Sequence, residues 1–382
     1  MLRYIGVLQE VYFRDYTKIA IKISLSSYNF VMLLYIHIPF CDSKCSYCAF
    51  NSYVDKFHLK ESYMVALKKQ LQHELLRFQV KKNSVETVFI GGGTPSTVSP
   101  KLYEDIFGLL RPYLIQDAEI TSEANPNSAT KEWLAGMKNL GVNRISFGTQ
   151  SFNKEKLKIL NRAHTSQMSI DAVHNASSLG FENISLDLIY ATLGDTKELL
   201  SKDIQTALSL PINHISAYAL MIEEGTAFEH RPHMSREQLL LTKWIFQEIE
   251  KHGFSQYEIS NFGSYQSLHN LGYWQYKDYI GAGAGAVGKL GLTRFYPQTD
   301  IETYIHNPLD IKEEHLSEED KRVEQIFLGL RSIVGVNQNI LNTDERKKAS
   351  ILLDEKKLEL KNNILYNKDY LLADEIALFL DS

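Results

Sequence analysis

An alternation of two periodicities constrains this chain more than any other feature. From residue 32 to residue 220, short apolar runs rich in β-branched residues alternate with longer segments of helical pattern. The short runs, at 33–38, 86–90, 119–122, 143–147, 183–188 and 214–220, have the length of buried strands. Between the first two, Met64, Leu67, Leu71, Leu75 and Phe78 recur at three and four residues and form one apolar stripe, with Lys68, Lys69 and Glu74 outside it. Repeated βα units of this kind predict an α/β fold with a parallel sheet, and six of them favour a partial (β/α)6 barrel over a closed eightfold one.

In such a barrel, sites are built at the C-terminal rim of the strands, and the polar motifs fall there. Gly91, Gly92, Gly93, Thr94 and Pro95 follow the second run, where glycines permit close backbone approach and Pro95 fixes the exit. Glu123 closes the third run, in SEANPN. Gln150 follows the fourth, and Arg162 comes twelve residues later with a guanidinium suited to two-pronged binding of a carboxylate. Asp187 lies inside the apolar fifth run, where an unpaired charge is costly, so a partner such as Arg162 or a ribose hydroxyl is expected.

The chain has only three cysteines, Cys41, Cys45 and Cys48, spaced C-x3-C-x2-C just after the first run. An odd, tight group of thiols is a ligand set, not a disulfide framework. Structural zinc takes four ligands, and His37 is the only nitrogen close by in sequence. Iron–sulfur clusters prefer thiolates, and a cubane held by three of them keeps one iron open to another ligand.

C-x3-C-x2-C followed closely by an aromatic resembles the cluster loop of the radical S-adenosylmethionine (SAM) family. The resemblance implies a [4Fe-4S] cluster on Cys41, Cys45 and Cys48 whose fourth iron binds SAM. It further implies that Tyr35, Tyr47, Gly92, Gly93, Thr94, Glu123, Gln150, Arg162 and Asp187 surround SAM. Taken in order, YIHIPFC, GGGTPS, EANP, NRISFGTQSF, YEISNF and HNLGYW resemble the haem-chaperone branch of that family, from Met32 to near the C-terminus.

HNLGYW contributes His269 beside Tyr273 and Trp274, a set able to ligate haem iron and cover a macrocycle. On residues alone, a packed aromatic cluster with one satisfied histidine is the better explanation, and it is the resemblance that shifts the reading to haem as cargo. The related oxygen-independent coproporphyrinogen III dehydrogenases carry a further cysteine after the triplet, where this chain has Ala49 and Phe50. The expected function is thus a haem chaperone delivering to haem-dependent respiratory proteins, with an electron donor such as a flavodoxin or ferredoxin. A porphyrinogen dehydrogenase and a cluster-bearing regulatory or scaffold protein stay open as alternatives.

With 41 basic and 46 acidic residues the net charge is −5, which gives no general attraction to nucleic acid. The longest uncharged stretch, 23–41, is broken by serines, Asn29, His37 and Pro39, so no transmembrane segment is expected. The reading is cytoplasmic, with room for peripheral attachment at the inner face of the membrane and for a homodimer. Residues 1–31 form an N-terminal extension, read either as a start-site artefact ahead of Met32 or as a real segment with a strand at 18–25. The barrel with its haem-site extension is assigned to 32–306. A small, mainly α C-terminal domain is assigned to 307–382, with a helix through Val323, Ile326, Phe327, Leu330 and Ile333, a hairpin at Asn362 and Asn363, and a last helix from Ala373. Gly283, Gly285 and Gly288 satisfy G-x-G-x-x-G, but without a core strand before them and a βαβ unit after them they are read as sites of close packing.

Overall fold

The computed structural model describes residues 31–236 and 238–382, so the N-terminal strand expected at 18–25 lies outside the described residues. One large sheet organises the molecule. Its strands β1 (Met32–Ile38), β2 (Val85–Gly92), β3 (Leu114–Ala124), β4 (Arg144–Gln150), β5 (Asn183–Tyr190) and β6 (His214–Ala219) pair in parallel in chain order. These six are the expected βα units, curved into the partial barrel of the radical SAM fold. The crossover helices α1 (Lys60–Arg77), α2 (Pro100–Leu110), α3 (Lys131–Leu140), α4 (Lys154–Ile159), α5 (Ser166–Ser178) and α6 (Lys197–Leu208) lie between them in sequence. Thr130, Asn153, Thr165 and Thr196 cap four of these helices with side-chain oxygens.

The α1 stripe is buried as its spacing predicts, but Glu74 is buried too, only 2% exposed. The reason is non-local. After α7 (Leu239–Glu250), β7 (Asn261–Gly263) pairs antiparallel with β6, and α8 (Leu268–Trp274) leads to β8 (Tyr279–Ala282), which pairs in parallel with the free edge of β1. Strands β9 (Gly288–Leu290), β10 (Thr293–Pro297) and β11 (Ile311–His315) extend that edge antiparallel, with α9 (Ile301–His306) between the last two. Arg77 pairs with Glu74, reaches Glu313 of β11 and stacks on Phe295 of β10, so the extension covers the carboxylate.

A core strand, β8, does precede the glycine-rich run, contrary to the sequence reading, but a strand and not a helix follows it. The close packing is observed. A Cβ on Gly281 would sit 1.9 Å from the Val287 carbonyl, and Gly283, at φ +113°, donates its N–H to Gln70.

A second apolar cluster gathers α10 (Glu318–Leu330), α11 (Thr343–Asp354), α12 (Ala373–Asp381) and the small sheet of β12 (Val336–Asn337), β13 (Leu358–Lys361) and β14 (Ile364–Asn367). The β13–β14 hairpin turns at Asn362 and Asn363, both at positive φ. Helix α10 ends at Leu330, so Ile333 lies beyond it and is 39% exposed. Just there the chain pairs with YEISNF: Ile259 N–H donates to Arg331 O at 2.9 Å and Ile333 N–H to Tyr257 O at 2.9 Å. Among the described residues, no helix is long and apolar enough to cross a membrane.

Candidate functional site

The loop after β1 carries the three thiols, and the loop after β2 is stitched to it. Gly93 N–H donates to Ile38 O at 2.8 Å and Thr94 N–H to Phe40 O at 2.7 Å. A Cβ on Gly92, at φ +109°, would stand 2.4 Å from the His37 ring, and one on Gly93 would stand 2.8 Å from Ile38 O. The glycine run is therefore required by the approach of the protein's own cysteine loop, and the same residues present their edge to the cavity behind it.

His37 is committed to this framework. Its Nε2 is 2.8 Å from Asn51 O and its Nδ1 is 3.0 Å from the Tyr35 hydroxyl. Since a carbonyl only accepts, Nε2 carries the proton and Nδ1 accepts from Tyr35. Burial lowers the histidine pKa to about 4. With both nitrogens engaged, it supplies no fourth ligand.

Each of two thiols has a defined donor. Thr94 Oγ1 donates to Cys41 Sγ at 3.3 Å, and Arg162 Nη1 donates to Cys45 Sγ at 3.1 Å. Burial pushes the Cys41 thiol up, against the pull of the Thr94 hydrogen bond. Arg162 Nη2 also donates to Asn125 Oδ1 at 2.7 Å and Gly148 O at 2.5 Å, which anchors it to the ends of β3 and β4. Among the described residues, no three Cys, His, Asp or Glu side chains are grouped to hold a single metal ion. Instead Cys41, Cys45 and Cys48 stand around one cavity of about 260 Å³.

The expected cluster, SAM and haem ligands line that cavity, namely the cysteines, Tyr35, Tyr47, Gly92, Gly93, Thr94, Glu123, Gln150, Arg162, Asp187 and His269, together with Tyr273; Trp274, expected beside them to cover a macrocycle, is buried outside the lining. Tyr47 is also wedged among Leu160, Ile189, Leu220, Phe228 and Met234, so it locks the cysteine loop to the segment after β6. Phe228 N–H donates to Ser46 O at 3.1 Å in the same contact. Gln150 sits at φ +65° at the end of β4, with its Oε1 accepting from Tyr218 at 3.1 Å.

Glu123 accepts the Gly92 N–H at 3.1 Å, and burial together with the nearby Asp187 raises its pKa to about 7. Asp187 does not pair with Arg162, contrary to the sequence expectation; it accepts from Ser146 at 3.2 Å. Burial raises its pKa as well, and the Ser216 and Ser146 hydroxyls moderate that rise. Arg162 is held away by the backbone and by Cys45, which explains the missed pairing.

The inner end of the cavity is closed by α8, the HNLGYW helix. His269 is 1% exposed, with Nδ1 2.6 Å from Thr87 Oγ1 and Nε2 3.0 Å from the Tyr273 hydroxyl, and its ring stacks on Phe89. Burial first, and Arg144 second, lower its pKa to about 3. Glu119 of β3 accepts from the N–H groups of Leu268 and His269 and from the Tyr265 hydroxyl. Sequence reasoning missed Glu119, Arg144 and Asn125. The signal was present for the first two, since each is a charge on a buried strand, as Asp187 is.

Comparison with known proteins agrees with this geometry. Residues 35–207 match the Radical SAM superfamily. The chain is 35% identical to the heme chaperone HemW of Bacillus subtilis (strain 168), over 80% of this chain and 84% of that protein. It is 34% identical to HemW of Lactococcus lactis subsp. lactis (strain IL1403), over 87% and 90% of the two chains, and 40% identical to HemW of Escherichia coli (strain K12), over 67% and 70%. The solved structure of coproporphyrinogen III oxidase (HemN) from Escherichia coli shares the fold, with a TM-score of 0.77 at 20% identity over 93% of this chain and 91% of that one. A cysteine loop and glycine run at the rim of a partial barrel, with a close sequence likeness across most of each relative, place the result beyond the fold alone: the chain belongs to the HemW family of the radical SAM superfamily.

Proposed function

We propose that this chain is a haem carrier that uses a [4Fe-4S] cluster and SAM, and passes haem to respiratory haem proteins. The observation that carries the reading is a single cavity with three thiols at its mouth and His269 at its inner end. The donor set fits the cluster: three thiols share one space, and His37 is not free to complete a zinc site. Cys41, Cys45 and Cys48 would hold it. Tyr35, Tyr47, Gly92, Gly93, Thr94, Glu123, Gln150, Arg162 and Asp187 would surround SAM. When bound, cluster and SAM supply one-electron chemistry.

The chain's own groups prepare that space. Thr94 and Arg162 direct O–H and N–H donors at the sulfurs of Cys41 and Cys45, which fixes both side chains in place. The ring of His269 is fixed through Nδ1 by Thr87, the arrangement that orients an imidazole whose other nitrogen meets a metal. Haem iron would take Nε2 in place of the Tyr273 hydroxyl. Ala49 and Phe50, where the dehydrogenases carry a cysteine, argue against porphyrinogen decarboxylation.

The test is anaerobic reconstitution of the cluster, titration with haem, and transfer to an apo-cytochrome in the presence of a flavodoxin or ferredoxin. Tight binding with transfer is expected. Conversion of coproporphyrinogen to protoporphyrinogen would replace this reading with the dehydrogenase.

A further inference from the structure

Arg144 opens β4, at the end of the strand opposite Gln150 and the rim. It is 2% exposed and lines the cavity, yet among the described residues its guanidinium has no hydrogen-bond or ion-pair partner, and its Nε is buried and unsatisfied. The other buried charges of the barrel interior are provided for: Glu119 by α8, Asp187 by Ser146, Arg162 by Asn125 and Gly148. A buried cation kept without a partner is costly to a fold, and it persists where a ligand brings the counter-charge. The same cavity is lined by Asp187 and Glu123, which feel the charge of Arg144 without hydrogen-bonding it; the Ser146 and Ser216 hydroxyls are already given to Asp187, and Asn270 adds an amide to the lining.

We propose that Arg144 is the receptor for a carboxylate of the bound guest at the inner end of the barrel. A planar guanidinium matches a carboxylate with two parallel hydrogen bonds. Two molecules in the haem-carrier reading bear one: a tetrapyrrole with propionate side chains, and SAM with its methionine carboxylate. Position along the strand separates them. Arg162 stands beside Cys45 at the rim, whereas Arg144 and Gln150 are separated along β4 by about 20 Å at strand rise. A SAM molecule whose amino-acid end meets the cluster does not also reach Arg144 with that end, so the carboxylate is a propionate. This last step rests on the haem-carrier reading; the anion site itself does not.

The test compares Arg144→Met and Arg144→Lys with the unaltered chain, all with reconstituted cluster. Thermal midpoints are read without ligand, haem and haem dimethyl ester are titrated by absorption, and SAM affinity is read by equilibrium dialysis. Arg144→Met should melt no lower than the unaltered chain, because it removes a buried unpaired charge. It should bind haem more than about tenfold more weakly and lose any preference for haem over its diester, with SAM affinity unchanged. Arg144→Lys should retain part of that preference. A fall in SAM affinity alone would keep the anion site and assign it to the methionine carboxylate. If the unaltered chain binds no haem, the carrier reading fails, and SAM affinity alone decides Arg144. Unchanged affinity for every ligand bound, with or without a lowered melting point, would overturn the proposal and leave Arg144 a structural residue.

Discussion

Glu119 accepts the backbone N–H of His269 at 3.0 Å, across 150 residues of sequence. A carboxylate on β3 thereby caps the helix that carries the candidate haem ligand, alongside the Ser267 side chain that caps it locally. The position of His269 is set by the barrel wall as well as by its own loop.

Glu119→Ala should therefore leave several buried donors unpaired and lower unfolding free energy by about 3 kcal/mol. Glu119→Gln should lose less. Urea denaturation gives the first value, and a haem titration on folded protein should show weakened binding in both variants. Wild-type stability in Glu119→Ala would show that solvent replaces the cap.

Glu123 makes stability depend on pH in a stated direction. Its folded pKa, about 7, lies above the usual carboxylate value, so between those values the folded chain binds more protons than the unfolded one. The ionisation penalty is absent at acid pH, develops as pH rises toward 7 and is complete above it. Glu123→Gln, which keeps an acceptor for Gly92 N–H, should be more stable than the unaltered chain at pH 8, by on the order of 2–3 kcal/mol. The two should converge near pH 4. Parallel curves of melting temperature against pH would contradict this.

Gly92→Ala meets both a left-handed backbone and the His37 ring. It should cost about 1–3 kcal/mol from conformation alone, with more from the clash. Its clearest effect is expected on the cysteine loop. Iron content after reconstitution should drop well below that of the unaltered chain, while far-ultraviolet circular dichroism stays near native.

Phe228→Ala would empty part of the apolar contact that backs Tyr47. A loss of about 3–4 kcal/mol is expected, since buried phenylalanine truncations fall there. Cluster removal by a chelator should be faster than in the unaltered chain. Equal removal rates would mean that the segment after β6 does not brace the loop.

Local chemistry made the rim legible in sequence. The glycine run, the thiol spacing, Glu123 and Arg162 each announce themselves within a few residues, and all meet in one cavity. The inner end was legible only in part: His269 was singled out, but its support was not, because the helix that carries it arrives after six strands and is held there by the Glu119 carboxylate of β3. Glu119 read as the first residue of a strand that in fact begins at Leu114, and Arg144, inside the expected run 143–147, was not singled out. Glu74 looked solvent-facing because the strands that bury it, β10 and β11, lie more than two hundred residues later. Periodicity reports which face is apolar; it does not report what a distant segment will lay across the other face.

The backbone pairing of Tyr257 and Ile259 with Arg331 and Ile333 has a consequence for cooperativity. A chain cut after His306 would keep all six strands of the partial barrel and all the cavity residues named above, but would strip the partners from YEISNF, whose Glu258 is buried at that seam. Barrel and tail should accordingly melt in one transition. Hydrogen exchange at the amides of Ile259 and Ile333 should then be slow and matched, governed by global unfolding and not by separate opening of the tail.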